Sequence, residues 1–225
     1  MGSKLGYVYR VLKLGGSLIT NKNVPFSFNE ELVTNVVNVI KNFKVILVHG
    51  GGSFGHYEAS LSKENTQTRT VIAMQELNLK ILKIFNKENI PVFPLPGRYF
   101  TINQVLEILQ NNLIPIIYGD ILPNGNIISG DDITLTIAKH FHTEALFATD
   151  VEGIIINNTA VSLLKSLDDF REIRTSQFDV TGGIREKLRK IFQYKVNSLI
   201  FDGRNPTNIY YALSGKRIGT FVEAE

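Results

Sequence analysis

This sequence predicts an α/β protein with an open, mainly parallel sheet, from three observations. Short apolar runs alternate along the chain with segments whose apolar residues recur at helical spacing. Two of those runs, ending at Leu14 and His49, empty into glycine-rich turns. A helical segment lies between them, and strand, helix, strand in that order implies a parallel pair with a right-handed crossover, which puts both glycine turns at one sheet edge. The 225 residues suffice for a single domain of two closely joined halves, divided at about residues 142 and 143.

In order, residues 7–14 read as the first strand, apolar but for Lys13. Gly15, Gly16 and Ser17 turn the chain, and the loop continues to Lys22. Ser27 with Glu30 reads as a capping box before Leu32, Val33, Val36, Val37, Ile40 and Phe43, which share one helical face. Residues 45–48 form the next strand and Gly50, Gly51 and Gly52 the second turn. From 71 to 85, Met74, Leu77, Ile81, Ile84 and Phe85 mark a helix face. Residues 90–95 are a strand that its prolines push to a sheet edge. Thr101 and Gln104 cap a helix running to about Asn112, and 114–118 is another strand. Asn124-Gly125 between Ile121 and Ile128 signals a projecting β-hairpin. A helix starts near Ser129, with Asp131 and Asp132 as natural caps. Strand 144–148, a second hairpin about Asn157 and Asn158, a helix through Ile184, Leu188, Ile191 and Phe192, strand 196–201, a short helix and a last strand near Thr220 complete the chain.

Composition narrows the function. Apolar residues make up 44% and charged ones 20%, and the net charge of +3 comes from scattered lysines. Such a chain argues for neither nucleic acid nor membrane as partner, and suits anionic small molecules. No run nears the roughly 20 apolar residues of a spanning helix, so the cytoplasm is the expected location. The absence of cysteine excludes disulfides, thiol catalysis and cysteine metal sites.

The second glycine turn reads as a phosphate cradle: without Cβ atoms, Gly50, Gly51 and Gly52 let backbone N–H groups approach an anion. Gly50, Gly52 and Gly55 also satisfy the dinucleotide spacing G-x-G-x-x-G, but the acid that a ribose needs about 20 residues on is represented only by Glu76, inside a helix. Gly50 and Gly55 have the outer spacing of a P-loop, yet His56 and Tyr57 stand in place of Lys and Ser/Thr. The positive charge for a moving phosphate must therefore come from elsewhere in the chain.

Four motifs, KLGGS (13–17), HGGG (49–52), TDVEG (149–153) and GGIREK (182–187), resemble the amino acid kinase superfamily in the family's order. GGSLIT (15–20) with Lys22, GGGSFGH (50–56), YGD (118–120), SGDD (129–132) and DVTGG (179–183) narrow the likeness to the isopentenyl phosphate kinases. That resemblance implies an αβα sandwich, a homodimer, and phosphoryl transfer from ATP to isopentenyl phosphate, a small phosphate with an isoprenoid tail. It implies Lys13, Lys22, His56 and Asp150 as the catalytic set. Lys13, Gly15, Gly16, Ser17, Gly52, Asp150, Gly183 and Lys187 would hold ATP, while Gly51, His56 and Gly130 would hold the acceptor. Mg²⁺ is expected with ATP, on phosphates and water rather than on named protein ligands.

The chain departs from the family in one place, a shorter polar connection between His56 and the helix at Val71, where the family caps its acceptor site. Plainer readings stand beside these roles. Lys22 could be a solvated loop lysine, Lys187 a surface residue, Asp150 a turn cap, and His49 is read as structural. The stripe of Met74, Leu77 and Ile81 could line a tail pocket or fill the core. The rival functions are a related kinase acting on fosfomycin, acetylglutamate or UMP, a nicotinamide oxidoreductase, and a non-catalytic nucleotide- or oxyanion-binding protein on the same fold.

Overall fold

The computed structural model describes residues 9–61, 64–156, 159–167 and 182–224. The predicted turn at Asn157 and Asn158, and Asp179 to Thr181, lie outside them. Among the described residues the strands are β1 (Arg10–Leu14), β2 (Val45–His49), β3 (Val92–Pro96), β4 (Ile114–Tyr118), β5 (Asp120–Ile121), β6 (Ile127–Ile128), β7 (Ala145–Thr149), β8 (Ile154–Ile156), β9 (Thr159–Val161), β10 (Leu163–Leu164), β11 (Ser198–Asp202) and β12 (Thr220–Val222). The helices are α1 (Gly16–Ile19), α2 (Glu30–Ile40), α3 (Gly52–Ser60), α4 (Thr66–Lys87), α5 (Ile102–Gln110), α6 (Gly130–His140), α7 (Gly182–Tyr194) and α8 (Pro206–Leu213).

The main sheet runs β10-β12-β11-β7-β1-β2-β4-β3, parallel except where β12 meets β11. The chain first builds outward from β1 to β3, then returns to β7 on the other flank of β1. That reversal makes the carboxyl end of β1 a topological switch point, where open α/β sheets bind ligands. As its prolines predict, β3 lies at an edge.

Strand alternation sends successive side chains to opposite layers. Leu12, Leu14, Val45 and Leu47 pack with Val33, Val36 and Ile40 of α2, Leu77 and Ile81 of α4, and Ile209 of α8. Val11, Ile46 and Val48 pack on the other face with Val105 of α5, Ile133 and Ile137 of α6, and Leu188 and Ile191 of α7. The result is the expected three-layer αβα sandwich. Lys13 shares the face of Val11, and therefore of α6 and α7. His49 shares the face of Val45 and Leu47, and so lies under α4.

Two helix starts differ from expectation. The cap of α2 is Asn29, whose side chain accepts from the Leu32 N–H at 3.1 Å, while Ser27 bonds the Asn21 N–H and the Ser53 hydroxyl instead. The helix α4 begins at Thr66 rather than Val71. Its polar first turn lacks an apolar stripe but is held from outside, by Arg69 Nε on the buried Glu58 of α3 at 2.6 Å. The hairpin of β5 and β6 forms about Gly125, which has φ +86°.

Candidate active site

Both glycine turns meet at the carboxyl ends of β1 and β2, and their backbones touch. A Cβ on Gly16 would lie 2.3 Å from the Gly52 nitrogen, and one on Gly50 would lie 2.7 Å from the Gly16 nitrogen. Gly52 has φ +47°, a conformation that L side chains rarely adopt. Close contact between the two turns requires glycine at Gly16 and Gly50, and at Gly52 conformation requires it as well.

Above the turns, Lys13 from β1 and Lys187 from α7 converge on one carboxylate oxygen of Asp131 in the first turn of α6. The Lys187 bond is 2.6 Å, and Lys13 Nζ binds the same oxygen. Both lysine side chains are 10% exposed and Asp131 is 16% exposed. Lys187 Nζ also lies 4.5 Å from the centroid of the Phe147 ring. One carboxylate thus balances two buried ammonium groups, leaving a net positive charge beside the turns.

The electrostatics follow from that crowding. Burial, then the like charge of Lys13, lowers the Lys187 pKa to about 8 against the opposing pull of Asp131. For Asp131, desolvation pushes upward, but Lys13 and Lys187 together outweigh it and hold the carboxyl well below its ordinary range. Asp131 and Asp132 are not the caps that the sequence suggests. Ser129 caps α6 by accepting from the Asp131 N–H at 3.2 Å, which frees both carboxylates, and Asp132 takes Lys190 of α7 at 2.6 Å.

A second cluster lies on the β7 side. Asp150, the residue after β7, accepts from the Ser17 hydroxyl at 2.6 Å and faces Lys22 Nζ at 3.6 Å. Lys22, 55% exposed on its side chain, therefore pairs with Asp150 and not with the Asp131 cluster. A cavity of about 570 Å³ opens here, lined among others by Ser17, Lys22, Asp150 and Arg204.

His56 is in the second turn of α3, on its exposed face. Its pKa is lowered, first by desolvation and then by the charge of Lys13, with the charge of Asp131 opposing. Gly51 rests on Met74, whose sulfur would lie 3.0 Å from an added Cβ, and a Cβ on Gly130 would lie 3.2 Å from Lys13 Cε. Gly15 donates its N–H to the Ala148 carbonyl at 2.8 Å. Gly183 is exposed on the first turn of α7, one helical turn before Lys187. Met74, Leu77 and Ile81 are 3%, 0% and 0% exposed and belong to the core beneath α4.

His49 is fully buried. It contacts the Gly50 carbonyl through Nδ1 at 3.1 Å and the Asn78 amide nitrogen through Nε2 at 3.1 Å, and it stacks on Tyr118. Burial pushes its pKa down to about 4, so it is neutral at physiological pH. Among the described residues no cluster of three His, Asp or Glu side chains is placed to hold a metal ion. Sequence reasoning missed Asp131 as the hub. The sequence shows only an acid beside Gly130 at the start of a helix; that Lys13 and Lys187 are both buried on it follows from the packing of β1, α6 and α7.

The chain matches the Amino acid kinase family over residues 9–200. It is 31% identical to an isopentenyl phosphate kinase of Methanocaldococcus jannaschii, over 95% of this chain and 98% of that one. It is 27% identical to an isopentenyl phosphate kinase of Thermoplasma acidophilum, covering 94% and 99%, and 27% identical to a uridylate kinase of Thermofilum pendens, covering 95% and 97%. Among solved structures, an isopentenyl phosphate kinase superposes with a TM-score of 0.80 at 22% identity, covering 95% of this chain and 99% of that one.

Proposed function

The chain belongs to the amino acid kinase family, and on that premise we propose that it transfers the γ-phosphoryl group of ATP to isopentenyl phosphate, giving the diphosphate for isoprenoid biosynthesis. The observation that carries the chemistry is the pair Lys13 and Lys187, buried on one Asp131 carboxylate beside two touching phosphate turns. Phosphoryl transfer asks a protein chiefly for positioning and for positive charge around the moving group. Asp131 holds two ammonium groups at fixed places before substrate arrives, so no reorganisation is needed when charge develops.

In this reading Lys13, Gly15, Gly16, Ser17, Gly52, Asp150, Gly183 and Lys187 receive ATP. Lys22, on its loop, follows the transferring group, while Gly51, His56 and Gly130 receive the acceptor. The acceptor phosphate is already an anionic nucleophile, so no general base is required. The pKa of His56 is lowered in the free protein, and the negative charge of an approaching acceptor favours its protonated form. Mg²⁺, if bound with ATP, would supply positive charge to its phosphates. The carboxylates nearest the turns are engaged by lysines and Ser17, which leaves the metal to phosphates and water.

The acceptor-binding half is about residues 1–142 and the nucleotide-binding half about 143–225. A homodimer fits the outward face of α4, where Ile72 and Leu79 are 49% and 50% exposed. No described helix is long and apolar enough to cross a membrane; the cytoplasm is the location we propose. A carboxylate acceptor would want free arginines near the second turn. Arg69 is paired with Glu58, and Arg98 binds both oxygens of the buried Asp120 at 3.0 and 2.8 Å.

The test is a coupled ATP-consumption assay across isopentenyl phosphate, dimethylallyl phosphate, fosfomycin, UMP and acetylglutamate. Isopentenyl phosphate is expected to give the highest kcat/KM. A preference for UMP, the acceptor suggested by the uridylate kinase relative, would replace this reading.

A further inference from the structure

The hydroxyl of Thr20 lies between the two phosphate turns and has no part in the roles above. Thr20 closes the single turn of α1 and is 4% exposed. Its Oγ1 donates to the Gly16 carbonyl at 2.7 Å and accepts from the Ser53 N–H at 2.9 Å. One oxygen therefore links the first glycine turn, assigned to ATP, to the second, which carries Gly51 and His56 of the acceptor set beside Gly52 of the ATP set. A Cβ on Gly52 would fall 2.1 Å from that oxygen, so the link also explains why this position has no side chain. Ser53 is tied three times more: its hydroxyl lies 3.1 Å from that of Ser27 and donates to the Ser27 carbonyl at 3.3 Å, and its carbonyl accepts from the Phe26 N–H at 3.1 Å.

Two consequences follow. The Ser53 N–H, near the start of α3, is occupied by Thr20 and is not free to bind a phosphate, which leaves that task to the glycine amides before it. The spacing of the turns is also set before any ligand binds. In-line transfer needs the attacking and accepting atoms held in a near-attack arrangement, and a misplacement of about 1 Å costs roughly a hundredfold in rate.

We propose that Thr20 is a positioning residue for the transfer: its hydroxyl fixes the separation of the donor and acceptor turns without touching either substrate. This rests on the kinase reading above.

Thr20→Val keeps the shape and burial and removes both bonds, whereas Thr20→Ser keeps the hydroxyl. The full-length chain is assayed with whichever acceptor of the panel the unmodified protein uses best, and each ligand's Kd is measured separately by calorimetry. The valine variant is expected to lose about tenfold or more in kcat while both Kd values stay within about threefold, and the serine variant to stay within about twofold. A valine variant with kcat near that of the unmodified protein overturns the proposal, as does one whose Kd values rise in step with the loss of kcat. If the valine variant does not fold, Thr20→Ala takes the same readout. A change in preferred acceptor would fail only the substrate assignment. If nothing in the panel is turned over, the link is judged on amide exchange, and unchanged protection of the Ser53 N–H in the valine variant overturns it.

Discussion

Asp131 joins residues 118 and 56 positions away into one charged centre. Removing one partner of such a cluster leaves like charges facing each other in a poorly solvated space. Asp131→Asn is predicted to cost toward the lower end of about 3 to 5 kcal/mol, since the group retains some exposure, and to lower kcat as both lysines lose their anchor. Denaturant titration and steady-state rates check this, and unchanged values in both would show that Asp131 positions nothing. Lys22→Ala makes the opposite pairing of effects. The side chain is solvated and paired only loosely with Asp150, so stability should barely change. The rate should nevertheless fall roughly 100- to 1000-fold with a much smaller rise in the KM for ATP, because its charge matters most in the transition state. A near-normal kcat would return Lys22 to the status of an ordinary loop lysine.

At the scale of the element, α4 separates two uses of an apolar stripe that periodicity cannot tell apart. Leu77 and Ile81 face the sheet and are fully buried, and Met74 braces the underside of Gly51 and Gly55. Leu77→Ala should therefore leave a cavity and cost about 2 to 5 kcal/mol, with no gain toward longer isoprenoid phosphates. The comparison is the melting temperature against the kcat/KM ratio for geranyl and isopentenyl phosphate. A shift toward geranyl phosphate with little loss of melting temperature would place the tail under α4 after all. The early start of α4 has a related lesson. Its first turn has no apolar signature, and its anchor, Glu58, belongs to another helix.

The whole molecule supplies the burial that lowers Lys187, since β1, β7, α6 and α7 must all pack before its ammonium leaves water. In the free protein Lys187 is charged below about pH 8 and loses its proton above it. Because kcat/KM for ATP reports the free enzyme, it should fall as pH rises through about 8. Bound phosphates favour the ammonium, so the same limb in kcat should appear at higher pH. Between about pH 8 and the ordinary lysine value of 10.5, the unfolded chain binds the more protons, so this group's contribution to stability rises with pH. The activity loss is therefore not accompanied by destabilisation from Lys187. A kcat/KM profile flat to pH 10 would remove Lys187 from the ATP site.

The sequence by itself determined the layer architecture, the edge position of β3, the hairpin at Gly125, and the meeting of two glycine turns at one sheet edge, because strand alternation, helical spacing and turn chemistry are local signals. It also determined the family, through motifs in a fixed order. Only the tertiary structure decided which carboxylate serves which lysine, that Asn29 and Ser129 rather than their neighbours cap α2 and α6, that the stripe of α4 is core, and that Thr20 links the two turns. These are choices among chemically equivalent partners. Each acid beside Gly130 could cap a helix or neutralise a lysine, and what selects between them is the distance to groups far along the chain, which exists only after the sheet has brought β1, α6 and α7 together.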